Sequence, residues 1–211
     1  MEPLILYFVL FFPGIYALPF SSPETGPLSF SILKELGRTL TYTVPSLALL
    51  WYLISDKTGF SAIYEVKPLK SDLFPFAIAS FGLIIIGLFT SLLLSIFSGV
   101  YAPPVLEAPQ NIPGWIVISL ACLGTGYLEE SYFRYYLLNK LEIPLPNTFL
   151  RIALSTFLFS LCHIYEGPWG ILNAVLAGIL LSVLFIRFRS LNGIAWAHGF
   201  YNLFVYAASS L

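Results

Sequence analysis

Residues 112–134 read IPGWIVISLACLGTGYLEESYFR, in which an almost uninterrupted apolar run over residues 112–128 is followed by a segment with three charged side chains. At about 1.5 Å per residue, a helix over residues 112–128 nearly crosses a hydrocarbon core of roughly 30 Å. A charge at the centre of a lipid-facing helix costs roughly 2.5 to 3.5 kcal/mol, whereas an apolar residue contributes only roughly −0.3 to −0.6 kcal/mol. Glu129, Glu130 and Arg134 must therefore lie near an interface, face the interior of a bundle, or neutralise one another.

The rest of the chain is similarly apolar. Of its 211 residues, 58% are hydrophobic and 10% are charged, whereas soluble domains contain roughly 25% charged residues. Six further apolar runs cover residues 4–20, 39–54, 73–100, 149–164, 171–188 and 194–211. We therefore predict an all-α, polytopic transmembrane bundle of about seven helices, which forms one domain over residues 1–211. A net charge of −1 gives no indication of a nucleic-acid partner.

The positions of Lys and Arg predict the orientation of this bundle. If the seven runs alternate across the bilayer, eight basic residues lie on one side and only Lys34 and Arg38 lie on the other. By the positive-inside rule, the amino terminus is then cytoplasmic and the carboxyl terminus lies outside. Glu2, rather than a basic segment, precedes the first run, so we expect a retained helix and not a signal peptide.

Small residues recur at every fourth position in two of the runs, which places each series on one helix face. One series is Gly170, Ala174, Gly178 and Ser182, and the other is Gly87, Ser91 and Ser95. Small side chains let helix backbones approach closely in lipid. We predict that both series pack against neighbouring helices.

The two adjacent glutamates differ in their relation to Arg134. Glu130 and Arg134 are four residues apart and share a helix face, whereas Glu129 projects about 100° away. Glu130 is then held as an ion pair, and Glu129 is the better candidate for a general base. The alternative is an ion pair that only ties a helix end to a loop, with nearby tyrosines in an interfacial aromatic belt. Those tyrosines are Tyr132, Tyr135 and Tyr136.

The chain contains only two histidines, and both lie in apolar runs. His163 alone fits a packing residue as well as a catalytic one. His198 and Asn202 are four residues apart, so one helix points an imidazole and a carboxamide in the same direction. Two such donors suit the oxyanion that forms when water attacks an amide carbonyl. The alternative for this pair is a hydrogen bond between helices.

Three motifs follow one another along the chain: EExxxR at residues 129–134, FxxxH from Phe159 to His163, and HxxxN from His198 to Asn202. In this order they resemble the CPBP family, which comprises CAAX prenyl endopeptidases and bacteriocin-processing proteins and is also called the Abi family of intramembrane proteases. The resemblance covers about residues 112–211, which we predict to be the catalytic core. Residues 1–111 are predicted to be peripheral membrane helices and loops.

The resemblance implies a role for each motif residue. Glu129 and His163 would activate the attacking water, and His198 and Asn202 would hold the oxyanion. Glu130 and Arg134 would fix the helix and its charge state. The implied substrate is a protein anchored by a lipid, such as a prenylated CAAX tail, or carrying a transmembrane sorting signal. The implied location is a prokaryotic cytoplasmic membrane.

The resemblance leaves the use of a metal open. Glu129, His163 and His198 could supply the two histidines and one carboxylate of a catalytic Zn²⁺ site. The chain has no HExxH motif, and an oxyanion role for His198 and Asn202 fits a metal-free glutamate protease better. We therefore favour hydrolysis without a cofactor.

Straight helices would place the two imidazoles about 20 Å apart along the membrane normal, by the rise per residue. We therefore expect the backbone to break at Gly167, Pro168 and Gly170, and the catalytic side chains to meet in a conical, water-accessible cavity.

Two other classes of protein remain as alternatives. One is a non-catalytic bacteriocin-immunity or scaffold protein, and the other is a proton-coupled transporter, although the repeated halves of many transporters are not evident here.

Overall fold

A computed structural model describes residues 2–16, 30–58, 67–97, 107–141 and 144–209. This described part is helical and contains no strand, which confirms the all-α prediction. Its seven helices are α1 (Glu2–Tyr16), α2 (residues 32–58), α3 (Lys70–Ile96), α4 (Ile112–Lys140), α5 (Thr148–Leu161), α6 (Ile164–Phe188) and α7 (Leu191–Ala208).

Four of these helices are composite. In α2, a π-helical turn at Thr39–Thr43 joins the segments Ile32–Arg38 and Val44–Thr58. In α4, a π-helical turn at Ser131–Leu137 joins Ile112–Glu130 to Leu138–Lys140. A 3₁₀ turn opens α3 at Lys70–Asp72, before Leu73–Ile96, and another opens α6 at Ile164–Glu166, before Gly167–Phe188.

Three helices of the described part, α3, α4 and α6, are long and apolar enough to cross a membrane. Residues Glu2–Phe11 of α1 and the whole of α5 are shorter apolar helices. These helices support an integral membrane protein, as the composition predicted. The orientation of the chain in the membrane stays a prediction.

The helices that carry the three motifs begin at side-chain caps. Asn111 accepts a hydrogen bond from the Gly114 N–H at the start of α4, at 2.8 Å, and Pro113 occupies the first turn. Asn147 caps α5 in the same way, and Ser190 caps α7 through the Gly193 N–H at 3.0 Å. Local sequence therefore fixes where each motif helix begins.

Glycines bring α4 and α7 into backbone contact. A Cβ atom added at Gly126 would lie 2.7 Å from the Ala195 carbonyl oxygen and 2.9 Å from the Gly199 nitrogen. A Cβ added at Gly199 would lie 2.9 Å from the Leu123 Cα. Because neither position has room for a side chain, α7 packs directly along the face of α4 that leads to the acidic pair.

The predicted small-residue series are confirmed in part. Ala174, Gly178 and Ser182 are buried, and a Cβ at Gly178 would lie 2.9 Å from Thr156 on α5. Gly170 instead faces Glu166 of the same helix. A Cβ at Gly87 would meet the hydroxyl of Tyr201 on α7. Ser91 and Ser95 are exposed, so the prediction for these two is wrong. In Ser95 the hydroxyl is satisfied locally by the Leu92 carbonyl.

The proposed interfacial aromatic belt is also wrong for two of its members. Tyr132 is fully buried and Tyr136 is 3% exposed, both within the main core cluster. Their hydroxyls donate to α1, from Tyr132 to the Pro3 carbonyl and from Tyr136 to the Glu2 carboxylate. The tyrosines after the acidic pair therefore join α4 to α1 inside the bundle.

Candidate active site

The acidic pair lies where α4 changes its helical form. Glu129 and Glu130 end the α-helical segment, and the π-helical turn begins at Ser131. Single π turns inside α-helices are rare and occur frequently at functional sites. Glu130 and Arg134 are both fully buried, whereas the Glu129 side chain is 14% exposed. Of the two glutamates, Glu129 is therefore the one with access to a molecule outside the protein core.

One oxygen of Glu130 joins two motifs. Its Oε1 accepts a hydrogen bond from Arg134 Nη1 at 3.0 Å and lies 2.8 Å from His198 Nδ1. The ion pair expected from the four-residue spacing is thus present. Because the carboxylate can only accept, the His198 Nδ1 carries the proton of this hydrogen bond. The other ring nitrogen of His198 is left to face the rest of the site.

The Nε2 nitrogen of His198 faces Glu129. His198 Nε2 lies 3.7 Å from Glu129 Oε2, which is longer than a hydrogen bond. The His198 imidazole therefore sits between both carboxylates of the EExxxR motif, bonded to one and near the other.

Arg134 is held from three sides. Besides Glu130, its Nη2 donates to the Gly178 carbonyl of α6 at 3.4 Å. Its guanidinium also lies over the ring of Phe159, 4.4 Å from the centroid. Because Gly178 has no side chain, α6 can pack closely against α5 at this point. Arg134 therefore ties α4 to both α5 and α6 around the acidic pair.

Several polar atoms of this cluster are not satisfied by the protein. Glu129 Oε2, Glu130 Oε2 and Arg134 Nε are buried and have no hydrogen-bond partner among the residues that the structure describes. Buried polar atoms are usually paired, and unpaired ones call for an explanation such as a catalytic role or a bound molecule. Two of these three atoms are carboxylate oxygens, which accept hydrogen bonds from water or from a peptide N–H.

His163 lies where the chain leaves α5. This helix ends at Leu161, and His163 itself has φ −105° and ψ 12°. Its Nδ1 donates to the Phe159 carbonyl at 3.0 Å when that nitrogen carries the proton, which leaves Nε2 with a free lone pair. Gly167 has φ 76°, a conformation that favours glycine. The backbone therefore breaks between Leu161 and Gly167, as expected for Gly167. For Pro168 and Gly170 the expectation is wrong, because both lie inside the α-helical segment Gly167–Phe188.

Phe159 lies at the centre of the site, and sequence reasoning assigned it no role. It is 2% exposed, and its ring centroid lies 4.6 Å from that of His163 and 5.9 Å from that of His198. The two imidazole centroids are thus at most 10.5 Å apart, the sum of these distances. Straight helices would have separated them by about 20 Å. The sequence signal for Phe159 was its position one helical turn before His163 in the FxxxH motif.

The predicted site residues meet only in part. Glu129, Glu130, Arg134 and His198 form one cluster, and His163 reaches it through Phe159. Within the described residues, no hydrogen bond or ion pair joins His163 to Glu129 or to His198. Asn202 lies one turn beyond His198 on α7 and is half-buried. It has no hydrogen-bond partner among the residues that the structure describes.

The residues proposed as zinc ligands do not form a metal-binding group. Among the described residues, no three His, Cys, Asp or Glu side chains lie close enough together to hold a metal ion. Glu129, His163 and His198 therefore do not fit the zinc site as they stand. Hydrolysis without a metal stays a prediction.

The water-accessible cavity also stays a prediction. One surface depression is lined by residues of the first turns of α4, including Trp115 and Ser119. A second lies between the start of α3 and the α6–α7 connection, and Asp72 and Arg189 are among its lining residues. Neither includes Glu129, His163 or His198.

A second polar cluster, which sequence reasoning missed, lies along the same helices. We call it the Asp72 network; it consists of Asp72, Tyr127, Ser190, Asn192 and Trp196. The Asp72 carboxylate accepts hydrogen bonds from Ser190 and Asn192, and from the Leu69 N–H at 2.8 Å. Tyr127 donates to Asn192 at 2.8 Å and accepts from Trp196 at 2.7 Å. The network joins α3, α4 and α7 next to the acidic pair.

Comparison with known proteins supports the family resemblance of the region that carries the three motifs. A family model described as Type II CAAX prenyl endopeptidase Rce1-like matches residues 110–204. The matched region contains EExxxR, FxxxH and HxxxN, so the resemblance to the CPBP family is confirmed. No curated protein and no solved structure matches the chain. Helices α1 to α3 lie outside the matched region.

Proposed function

We propose that this chain, whose residues 110–204 are Rce1-like, is an intramembrane endopeptidase. It hydrolyses a peptide bond of a lipid-anchored or membrane-embedded protein. The observation that carries the proposal is the gap of 3.7 Å between Glu129 Oε2 and His198 Nε2. Both atoms belong to a buried cluster whose remaining charges, Glu130 and Arg134, are already paired with each other.

In the first step, Glu129 is the general base. Its Oε2 accepts a proton from water, and the water oxygen attacks the carbonyl carbon of the scissile peptide bond. His163 orients the same water, because its Nδ1 is bonded to the Phe159 carbonyl and its Nε2 lone pair can accept the second water proton as a hydrogen bond. The product is a tetrahedral intermediate with one negatively charged oxygen.

In the second step, His198 and Asn202 stabilise this oxyanion. With Nδ1–H bonded to Glu130, His198 donates from Nε2 when that nitrogen is also protonated. The Asn202 amide is the second donor, one turn along α7, and is not engaged by another described residue. The intermediate collapses by breaking the C–N bond, and Glu129 returns its proton to the leaving amine.

Glu130 and Arg134 position the reacting groups. Glu130 fixes the ring of His198 by a hydrogen bond. Arg134 holds Glu130 in place and is itself held by contacts with α5 and α6. Because both are fully buried, neither is accessible to a substrate. Their contribution is to keep His198 directed at Glu129.

The direct test compares the purified wild type with Glu129→Gln, using a farnesylated CAAX peptide and a panel of membrane-anchored peptides. Loss of a general base is expected to lower cleavage by at least about 10²-fold. Glu35→Gln is the matched control, because that carboxylate pairs with the exposed Arg38 on α2. Equal cleavage by wild type and Glu129→Gln would contradict the proposal, and proton uptake without cleavage would indicate a transporter.

A further inference from the structure

The last turn of α5 leaves one backbone carbonyl without its usual partner. In an α-helix, the Leu158 carbonyl would accept from the Cys162 N–H, four residues on. Here the Cys162 N–H bonds to the Phe159 carbonyl at 3.1 Å, and the His163 N–H bonds to the Ser160 carbonyl at 3.1 Å. These three-residue spacings tighten the end of the helix and direct the chain away at His163.

A side chain from α1 takes the place of the missing donor. The Tyr7 hydroxyl donates to the Leu158 carbonyl at 3.0 Å, and Tyr7 is 3% exposed. The Cys162 thiol is a second, weaker donor to the same carbonyl, at 3.5 Å, and lies 3.6 Å from the Tyr7 oxygen. An unpaired carbonyl in such apolar surroundings is costly, so the Tyr7 bond stabilises this form of the helix end.

The ring of Tyr7 contacts the other motif segment. Its centroid lies 6.3 Å from that of Tyr132 and 6.3 Å from that of Phe133, both in the π-helical turn of α4. One residue of α1 therefore touches the segment that carries EExxxR and the helix end that carries His163. Tyr7 lies outside the Rce1-like region of the chain.

We propose that Tyr7 is a positioning residue for His163, an inference that rests on the proposed protease function. By donating to the Leu158 carbonyl, Tyr7 compensates for the hydrogen bond that the Cys162 N–H does not make there, and so stabilises the end of α5 at Leu161. A continued α-helix would instead direct the His163 backbone N–H to the Phe159 carbonyl, which now bonds to His163 Nδ1, and would thereby move the imidazole. Helix α1 is then part of the catalytic unit, although its sequence carries no motif.

The first measurement uses Tyr7→Phe, which keeps the ring and removes only the hydroxyl. With a farnesylated CAAX peptide as the probe, kcat is expected to fall roughly five-fold while KM is unchanged. Tyr136→Phe is the matched control, since it also removes a tyrosine hydrogen bond to α1, the one to Glu2 at 2.7 Å. If kcat of Tyr7→Phe equals that of the wild type or of Tyr136→Phe, the inference is overturned.

The second measurement does not depend on cleavage. Because the chain has only two histidines, ¹⁵N-histidine labelling gives NMR signals from His163 and His198 alone. The ring-nitrogen signals of His163 are expected to shift in Tyr7→Phe, and those of His198 to stay in place. Unchanged His163 signals would overturn the inference even if wild type cleaves the peptide. Conversely, equal cleavage by wild type and Glu129→Gln would refute the proposed mechanism and leave the NMR result to decide on Tyr7.

Discussion

The Asp72 network and the cluster around Glu130 are both polar and lie along the same contact between α4 and α7, but they differ in how fully their atoms are paired. In the Asp72 network, no buried side-chain nitrogen or oxygen lacks a partner among the described residues. In the cluster around Glu130, three atoms lack one. A satisfied network rigidifies a bundle, whereas a partly satisfied one is suited to bind something else.

The two clusters therefore have different roles in our interpretation. The Asp72 network fixes the start of α7 against α3 and α4, so that His198 arrives opposite the acidic pair two residues after Trp196. The cluster around Glu130 holds its own charges but keeps Glu129 available. Substitutions in the first should act on stability, and substitutions in the second on both stability and cleavage.

The largest effect is expected for Arg134→Met. This substitution leaves the fully buried Glu130 without its ion-pair partner, and removing one member of a buried pair costs about 3 to 5 kcal/mol in free energy of unfolding. Unfolding in detergent, followed by circular dichroism, measures the change. Arg38→Met is the control, because its ion pair with Glu35 is exposed and should contribute at most about 1 kcal/mol. Equal losses in the two variants would contradict the role given to Arg134.

A smaller effect, on stability alone, is expected for Asp72→Asn. The amide cannot accept the hydrogen bonds that both carboxylate oxygens now receive, which costs about 1.5 to 3 kcal/mol in free energy of unfolding. The cleavage rate per folded molecule should match that of the wild type. Glu107→Gln serves as the control, since that carboxylate accepts from the Phe30 N–H at 3.3 Å. A cleavage rate that falls with Asp72→Asn would erase the distinction between the two clusters.

Gly126→Ala tests the contact on which both clusters depend. The new methyl group would meet the Ala195 carbonyl at 2.7 Å and separate α4 from α7, at a cost of about 1 to 3 kcal/mol in free energy of unfolding. Gly37→Ala is the matched control, because its Cβ would have no neighbour within 4 Å. It should be neutral or slightly stabilising. If both variants unfold alike, the close crossing of α4 and α7 is not real.

The smallest effect is expected from a strong chelator. A tightly bound metal would be an obvious partner for the unpaired Glu129 oxygen, but the metal-free mechanism predicts an unchanged cleavage rate after chelation and dialysis. Loss of cleavage that returns with added Zn²⁺ would contradict this prediction. It would also require Glu129, His163 and His198 to move closer together than they are here.

The sequence predicted what depends on local spacing. Apolar runs located the helices, the four-residue spacing predicted the Glu130–Arg134 pair, and Gly167 marked the break after His163. Each of these follows from neighbouring residues and from the geometry of a helix. Ser91 and Ser95 show the limit of such periodicity, since a face of small residues does not specify that a partner helix covers it.

What the sequence did not predict depends on how distant segments meet. The motifs predicted that His198 meets Glu129, but its position against both glutamates depends on the close packing of α4 and α7 at Gly126 and Gly199, which no motif indicated. The Asp72 network joins residues more than a hundred positions apart, and no local pattern relates them. The π-helical turn after Glu130 likewise has no evident signal in SYFRYYL.

The shared oxygen of Glu130 has a mechanical consequence. His198 on α7, Glu130 and Arg134 on α4, and the Gly178 carbonyl on α6 form a continuous path of polar contacts through the bundle. A sliding motion of any one of these helices must stretch a bond to the next. A displacement of α6 that lengthens the bond between Arg134 and Gly178 would therefore act on the side chains that hold the imidazole facing Glu129.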